Sequence, residues 1–411
     1  MSLLIYVLGV IRVKSIIWGD SLYYYSYTRS IVMDADIDFT NQAFHPKLGF
    51  PNIVEISDKT GLITNKFSPG TSLFWIPGFM IGQLLASFSN YILMIFNRPL
   101  IFLTDGNGFL PEFFTAVSSV LYSSLGLWYL FKLIKLWFNK KTASLTVLLL
   151  FFTTQIFYYT SVDPVNSHSI SFLLSSILLY QLTKVLKTNP SWQKVIPMGI
   201  VAGLLVLVRN QDIVVIAPVL LAILLSKKES LLNKLNWITL FLGSAFVIFS
   251  IQIYTTLTLF GVLGSPYLIR GEKLSWFKPD FFRVLFSFEN GLFFFAPILL
   301  FAVMIILKFI IINSKNLFNL KKLQANPLLL FVITAMITFL LQLYVVASWG
   351  EEIIGGPYGT RMFISILPHL SIGLAIILNK TKDKFNYIYW LMLIALFINI
   401  SMQTFLMLYR F

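Results

Sequence analysis

Apolar runs long enough to cross a ~30 Å hydrocarbon core recur along almost the whole chain, and the breaks between them alternate between two chemical kinds. That pattern restricts the fold to a bundle of membrane helices. Composition agrees. Of 411 residues, 57% are hydrophobic and only 12% charged, where a soluble domain carries roughly 25% charged residues. Mean hydropathy is +0.81. A β-barrel does not fit, because the runs are continuous rather than alternating. The expected fold class is therefore all-α, a polytopic helical membrane protein. No polar stretch is long enough for a separate soluble unit, so residues 1–411 read as one transmembrane domain. Cysteine is absent, which excludes disulfides and thiolate metal sites. The first apolar run lacks a basic start and a small-residue cleavage site, so no cleavable signal peptide is expected.

One kind of break is rich in lysine: Lys140 and Lys141; Lys184, Lys187 and Lys194; Lys227, Lys228 and Lys234; Lys315, Lys321 and Lys322; Lys380, Lys382 and Lys384. The other carries Asp163 and His168, Arg209 and Asp212, Arg270 to Glu289, and Trp349 to Arg361. The positive-inside rule puts the lysine breaks in the cytoplasm and the others outside. Spans are expected near 2–18, 113–137, 143–160, 169–187, 195–209, 213–226, 237–260, 291–312, 327–347, 362–380 and 386–409. The runs 195–209 and 213–226 are short for full crossings at ~1.5 Å per residue. Arg12 and Lys14 sit awkwardly in the first span and would have to snorkel, unless the true helix begins upstream of Met1.

Residues 71–96 are apolar enough to span, but a crossing there would turn every later lysine break outward. This segment is instead expected to re-enter or to lie at the outer interface, bent at Pro77 and Gly78, within a first external loop of about 19–112. On that topology only Glu229 and Asp383 of the 17 acidic residues fall inside, and every inner basic residue is lysine. Arginines gathered with carboxylates outside suggest a working surface.

Candidate chemistry sits in the external breaks. Asp20 opens GDSLYYYSYTR, with Tyr24 and Arg29 close behind. A carboxylate there could take a proton from a hydroxyl or bind a cation; it could equally cap a helix beside a tyrosine belt. Asp34, Asp36 and Asp38 form a run that hard cations favour, yet the glycine and distal glutamate of a calcium loop are missing, so a solvated loop with local turn bonding is the better reading. In NKFSPGTSLFWIP, Lys66 could meet a phosphate, and Thr71 or Ser72 could cap the following helix. DPVNSH places Asp163 and His168 together, either as a turn or as a phosphate donor and proton shuttle. In RNQD, Arg209 needs a counter-charge, which Asp212 could supply, as a structural pair or as part of a ligand site. WGEEIIGGPYGTRMFISILPH combines Glu351, glycines that permit close backbone approach, and Arg361, whose planar guanidinium suits a phosphate or anchors the interface.

No P-loop or dinucleotide fingerprint is present, so a Rossmann-type nucleotide donor is not expected. Nucleic acid is no partner, because positive charge is spread over the inner loops. A structural subunit would not need acids and arginines in four successive external loops. A non-catalytic lipid or glycan transporter would carry polar residues through the bilayer, and a lipid-linked polysaccharide polymerase or ligase would carry a large late external loop.

These motifs, in this order, make the chain resemble the GT-C superfamily of membrane glycosyltransferases, above all bacterial relatives of protein O-mannosyltransferases and of the lipid A aminoarabinose transferase. The resemblance rests on Asp20 with Tyr23 to Arg29, SPGTSLFWIP at 68–77, Asp163–His168, GLLVLVRNQD at 203–212 and GGPYGTRMFISILPHL at 355–370. It implies transfer of a sugar, of hexosyl or mannosyl type, from a polyprenyl-phosphate donor to an extracytoplasmic glycan, lipid or protein with inversion. The setting implied is a bacterial inner or plasma membrane. In such a site Asp20 is the base and Asp163 the second acid. Arg209 and Arg361 hold the donor phosphate; from the residues themselves, Lys66 and His168 are further candidates for the phosphate, and Tyr24, Arg29, Asp212 and Glu351 for contact with substrate. The resemblance also implies a first-loop helix laid along the membrane. No cofactor is required with certainty; a divalent cation stays open, and no metal ligand is assigned.

Overall fold

The computed structural model describes residues 1–13, 16–45, 55–188, 190–225, 230–317, 319–349, 358–380 and 387–409. Helices follow one another as α1 (Ser2–Val13), α2 (Asp20–Arg29), α3 (Gly70–Ile95), α4 (Phe109–Lys135), α5 (Lys140–Thr153), α6 (Ile156–Ser161), α7 (His168–Lys187), α8 (Trp192–Val208), α9 (Ile216–Leu225), α10 (Leu231–Phe260), α11 (Pro297–Ile312), α12 (Pro327–Ala347), α13 (Leu367–Lys380) and α14 (Tyr387–Tyr409). Short helical turns lie between several of them. Among the described residues the only β pairing is two isolated bridges, Ile56 with Ile63 and Leu274 with Trp349.

Among the described residues, six helices are long and apolar enough to cross a membrane: Gly70–Ile95, Phe109–Lys135, His168–Lys187, Leu231–Phe260, Pro327–Ala347 and Arg361–Lys380. Shorter apolar helices occur at Ser2–Ile11, Trp192–Val208, Asn210–Leu225 and Pro297–Ile312. The chain is an integral membrane protein.

Two expected continuous spans are divided, each for a local reason. The 143–160 run breaks at Thr154, which is extended, while the Thr153 and Thr154 hydroxyls donate back to Leu149 O (2.6 Å) and Leu150 O (2.7 Å). Such back-bonding competes with helix continuation. The 291–312 run breaks at extended Ala296, because Pro297 has no N–H to donate and restricts the residue before it.

The core is a continuous apolar cluster through α4, α7, α8, α11, α12 and α13. α3 lies along α4, and Trp75 Nε1 donates to Ser119 Oγ (2.8 Å) while the Tyr122 hydroxyl donates to Phe74 O (2.7 Å). α3 runs through Pro77 as one helix. Thr71 and Ser72 do not cap it. Ser72 Oγ instead donates to Tyr24 O (2.6 Å), and Thr28 Oγ1 donates to Ser72 O (3.1 Å), so the pair clips α2 onto the start of α3.

Lysines gather at one end of the bundle. Lys187 Nζ donates to Leu136 O, Lys234 Nζ donates to Leu224 O (2.8 Å), and Lys132 stands over the Trp128 and Tyr180 rings. The acids and arginines of the other breaks meet elsewhere, at the opposite ends of these helices.

Candidate active site

Two glycines set the approach of the site's central pair. Gly19 (φ +56°) delivers the chain into α2, so Asp20 is the first helical residue and makes no side-chain cap bond. Gly359 (φ +59°) does the same before the 3₁₀ turn Arg361–Ile366, with the Phe295 side chain 3.1 Å from where a Cβ would stand. The left-handed region costs a residue with a Cβ roughly 1–2 kcal/mol. The backbone around Arg361 is then held from α12, from the turn before α6 and from the 3₁₀ turn after α8. Gln155 Nε2 donates to Thr360 O (3.1 Å), and Gln342 Nε2 (2.7 Å) and Gln211 Nε2 (3.2 Å) both donate to Met362 O.

The result is an ion pair between residues 341 positions apart, Arg361 Nη2 on Asp20 Oδ2. It borders a cavity of about 360 Å³ lined by Asp20, Tyr24, Lys66, Ser167, His168, Arg209, Tyr267, Glu272, Trp349 and Arg361, among others. Arg209 enters from the end of α8. Its Nη1 donates to Ser167 Oγ (3.0 Å) and lies 3.0 Å from His168 Nδ1, and the Tyr24 hydroxyl donates to the same Ser167 Oγ (3.3 Å). Lys66 is paired with Glu272, its ammonium 5.6 Å from the centre of the Tyr267 ring. Among the described residues, Arg209 is the cavity cation without a carboxylate in ion-pair contact. A guanidinium with no carboxylate in direct contact, in a half-enclosed, aromatic-walled pocket, is a place for an incoming anion, although the buried Asp212 lies within electrostatic reach of it.

Asp163 is buried just behind the pair. Burial is the main cause that lifts its carboxyl from the ordinary value of 3.8 to about 7; the Arg361 guanidinium opposes this and the Asp20 charge adds to it. Asp163 is therefore within electrostatic reach of both.

Six of the expected residues, Asp20, Tyr24, Lys66, His168, Arg209 and Arg361, thus share one cavity, and Asp163 adjoins it. Two do not reach it. Arg29 donates through Nε to Asp105 O (3.0 Å) and pairs with Asp34, which ties the first loop together. Asp212 is fully buried and accepts from Ser171 Oγ, rather than forming the expected ion pair with Arg209. The 3₁₀ turn Asn210–Val215 carries it inward, away from the opening. Glu351 lies outside the described residues. Asp36 and Asp38 bond locally, accepting from Ser30 Oγ (2.5 Å) and Thr40 Oγ1 (2.6 Å) as an ordinary loop does. Among the described residues no three or more His, Asp or Glu gather as a metal site. Both carboxylates on the cavity wall are already paired with cations, so a metal ion there would have to displace Arg361 or Lys66.

Four residues of the site were not read as candidates: Glu272, Tyr267, Ser167 and Trp349. Glu272 and Trp349 carried a signal, since both stand in charged external breaks. Ser167 stood inside the DPVNSH motif, and Tyr267 carried no signal beyond its position between spans.

Residues 102–254 match the family model for dolichyl-phosphate-mannose-protein mannosyltransferase. That stretch contains Asp163, His168 and Arg209. The whole structure is similar to ArnT from Cupriavidus metallidurans in the apo state, with a TM-score of 0.53 at 13% sequence identity, over 93% of this chain and 60% of that one. The fold is that of the GT-C membrane glycosyltransferases. A weaker likeness is to the Archaeoglobus fulgidus oligosaccharyltransferase tethered with an acceptor peptide, with a TM-score of 0.44 at 14% identity, over 94% and 50% of the two chains. The chain spans about 60% of the length of ArnT. No curated protein matches it in sequence. In this GT-C fold the cavity lies where the non-lysine ends of α7 and α8 converge with the starts of α2 and of the Arg361 turn.

Proposed function

We propose that this protein is an integral-membrane glycosyltransferase that moves a sugar, of hexosyl or mannosyl type, from a polyprenyl-phosphate donor to an extracytoplasmic glycan, lipid or protein. The observation that carries this reading is the Asp20–Arg361 pair on the same cavity wall as Arg209, which has no carboxylate in direct contact. A base and phosphate-gripping cations in one pocket at the membrane rim are what the chemistry needs. The acceptor hydroxyl attacks the anomeric carbon from the face opposite the phosphate, its proton passes to Asp20, and the bond to the phosphate oxygen breaks with its electron pair on that oxygen. The configuration inverts. Charge grows on the ring and on the leaving phosphate together, and fixed cations stabilise the latter.

In this reading Arg209, steadied by Ser167 and His168, receives the phosphate, while Arg361 spans base and donor. Lys66 exchanges Glu272 for a phosphate oxygen, and Asp163 sets the charge balance around Arg361. α3 is the membrane-associated helix of the first external loop, whose start is clipped to α2 beside the site. The site faces outward from a bacterial inner membrane. The test is transfer to membrane acceptors from a panel of polyprenyl-phosphate sugars by the purified protein. A labelled product formed by the wild type and not by Asp20→Asn supports the proposal; no product from any donor, or equal product from both proteins, contradicts it.

A further inference from the structure

The external segment between α10 and α11 has two faces. One faces the cavity: Tyr267 and Glu272 line it, and Leu274 bridges to Trp349. The other is a row of bare aromatic rings. Phe277 is 100% exposed, Phe288 80% and Phe282 74%. In water such a row would be costly, since each buried large apolar side chain is worth roughly 1.5–3 kcal/mol. Between residues 273 and 289, Lys273, Lys278 and Arg283 stand against Asp280 and Glu289, and Asp280 is partnered by Arg283 at 3.6 Å, which leaves Lys273 and Lys278 as the cations beside the row.

The segment is anchored on α12. Trp276 stacks on Tyr344 of α12 (5.8 Å between centroids, 27° between planes), and the Tyr344 hydroxyl donates to Trp276 O (2.7 Å). Phe281 packs on the same ring at 6.4 Å. Tyr344 and Leu340 lie on the outward flank of α12, a helix apolar enough to cross the membrane. Tyr344 is one turn from the helix end, ~5 Å in from it. The aromatic row is thus continuous with the exposed flank of a helix long and apolar enough to cross the membrane.

We infer that residues 276–288 insert into the outer interface of the membrane and bind anionic lipid, with Phe277, Phe282 and Phe288 in the acyl boundary and Lys273 and Lys278 at the headgroups. Aromatic rings with flanking cations are the chemistry of an interfacial anchor, and each cation near an anionic surface adds attraction. The segment becomes the wall between the cavity and the lipid, and so sets the depth at which the cavity opens. The inference does not rest on the reaction proposed above.

The absence of cysteine makes the test direct. Phe277→Cys and Phe282→Cys replace exposed side chains, so folding is not at stake. Each is labelled with a polarity-sensitive fluorophore in nanodiscs of neutral lipid, with and without phosphatidylglycerol. Leu340→Cys serves as the lipid-facing reference and exposed Asp58→Cys as the loop reference. The expected result is quenching by shallow nitroxide lipid close to that of Leu340→Cys, protection from iodide, and a several-fold stronger lipid quenching with phosphatidylglycerol that Lys273→Glu with Lys278→Glu removes. Iodide quenching like that of Asp58→Cys overturns the inference. So does protection from both quenchers, which would mean that protein covers the row. Lipid quenching indifferent to the charge reversal overturns the binding of anionic lipid.

Discussion

Arg209 and Arg361 differ in what already occupies them, and that difference should show in kinetics. On the proposed reading Arg209→Ala removes charge-assisted bonds to a phosphate, each worth about 1.5–3 kcal/mol, so donor KM should rise by at least about tenfold with acceptor KM unchanged. Lysine at this position should restore little, because it cannot form the planar two-point grip. An unchanged donor KM in Arg209→Ala would remove it as the phosphate site. Asp163 carries a pH signature. Its folded value of about 7 lies above the unfolded value of 3.8, so the folded state binds the extra proton between them. Its contribution to stability is full below about pH 4 and is lost as pH rises through about 7. Thermal unfolding in detergent should therefore show a falling Tm across that window, flattened in Asp163→Asn; an identical slope in the variant would count against a buried, neutral Asp163. Residues with opposite fates looked alike in the sequence. Arg29 and Arg361 are both arginines beside aromatics in external breaks, but Arg29 pairs with Asp34 five residues on, whereas Arg361 pairs with Asp20 across 341 positions, which no spacing rule reveals.

At the level of elements, the site depends on turns more than on helices. The Arg361 turn is aimed by the positive φ at Gly359 and by three glutamine amides on its carbonyls. Gly359→Ala should cost about 1–2 kcal/mol of stability and lower donor affinity, whereas Gln342→Leu should raise donor KM through the loosened Met362 carbonyl. Normal donor binding in both variants would mean that Arg361 is not positioned this way. Helix existence was legible because apolar runs of this length have few other uses. Helix breaks were less so: Thr154 and Ala296 interrupt runs that are apolar throughout, and the cause in each case is a local bond or a missing N–H rather than a change in hydropathy. The ion pair Lys66–Glu272 could not be read either, since its partners are 206 residues apart and no spacing rule joins them.

On the scale of the molecule, the sorting of lysine from arginine and acid carried most of the information. It brought Asp20, Lys66, His168, Arg209 and Arg361 to one side before any contact was known, and they meet at one cavity. The same sorting predicts sidedness. In intact cells a membrane-impermeant maleimide should label Asp58→Cys and not Lys140→Cys; the reverse pattern would turn the site to the cytoplasm. In the proposed reaction the chemistry of the cavity turns on Asp20, and its pairing with Arg361 gives the Asn variant two separable signs. Asp20→Asn frees the guanidinium, so binding of a polyprenyl-phosphate sugar, measured by equilibrium titration, should hold or tighten while single-turnover sugar transfer from the bound donor disappears. Transfer at the wild-type rate in Asp20→Asn, or loss of donor binding together with activity, would show that Asp20 is not the base.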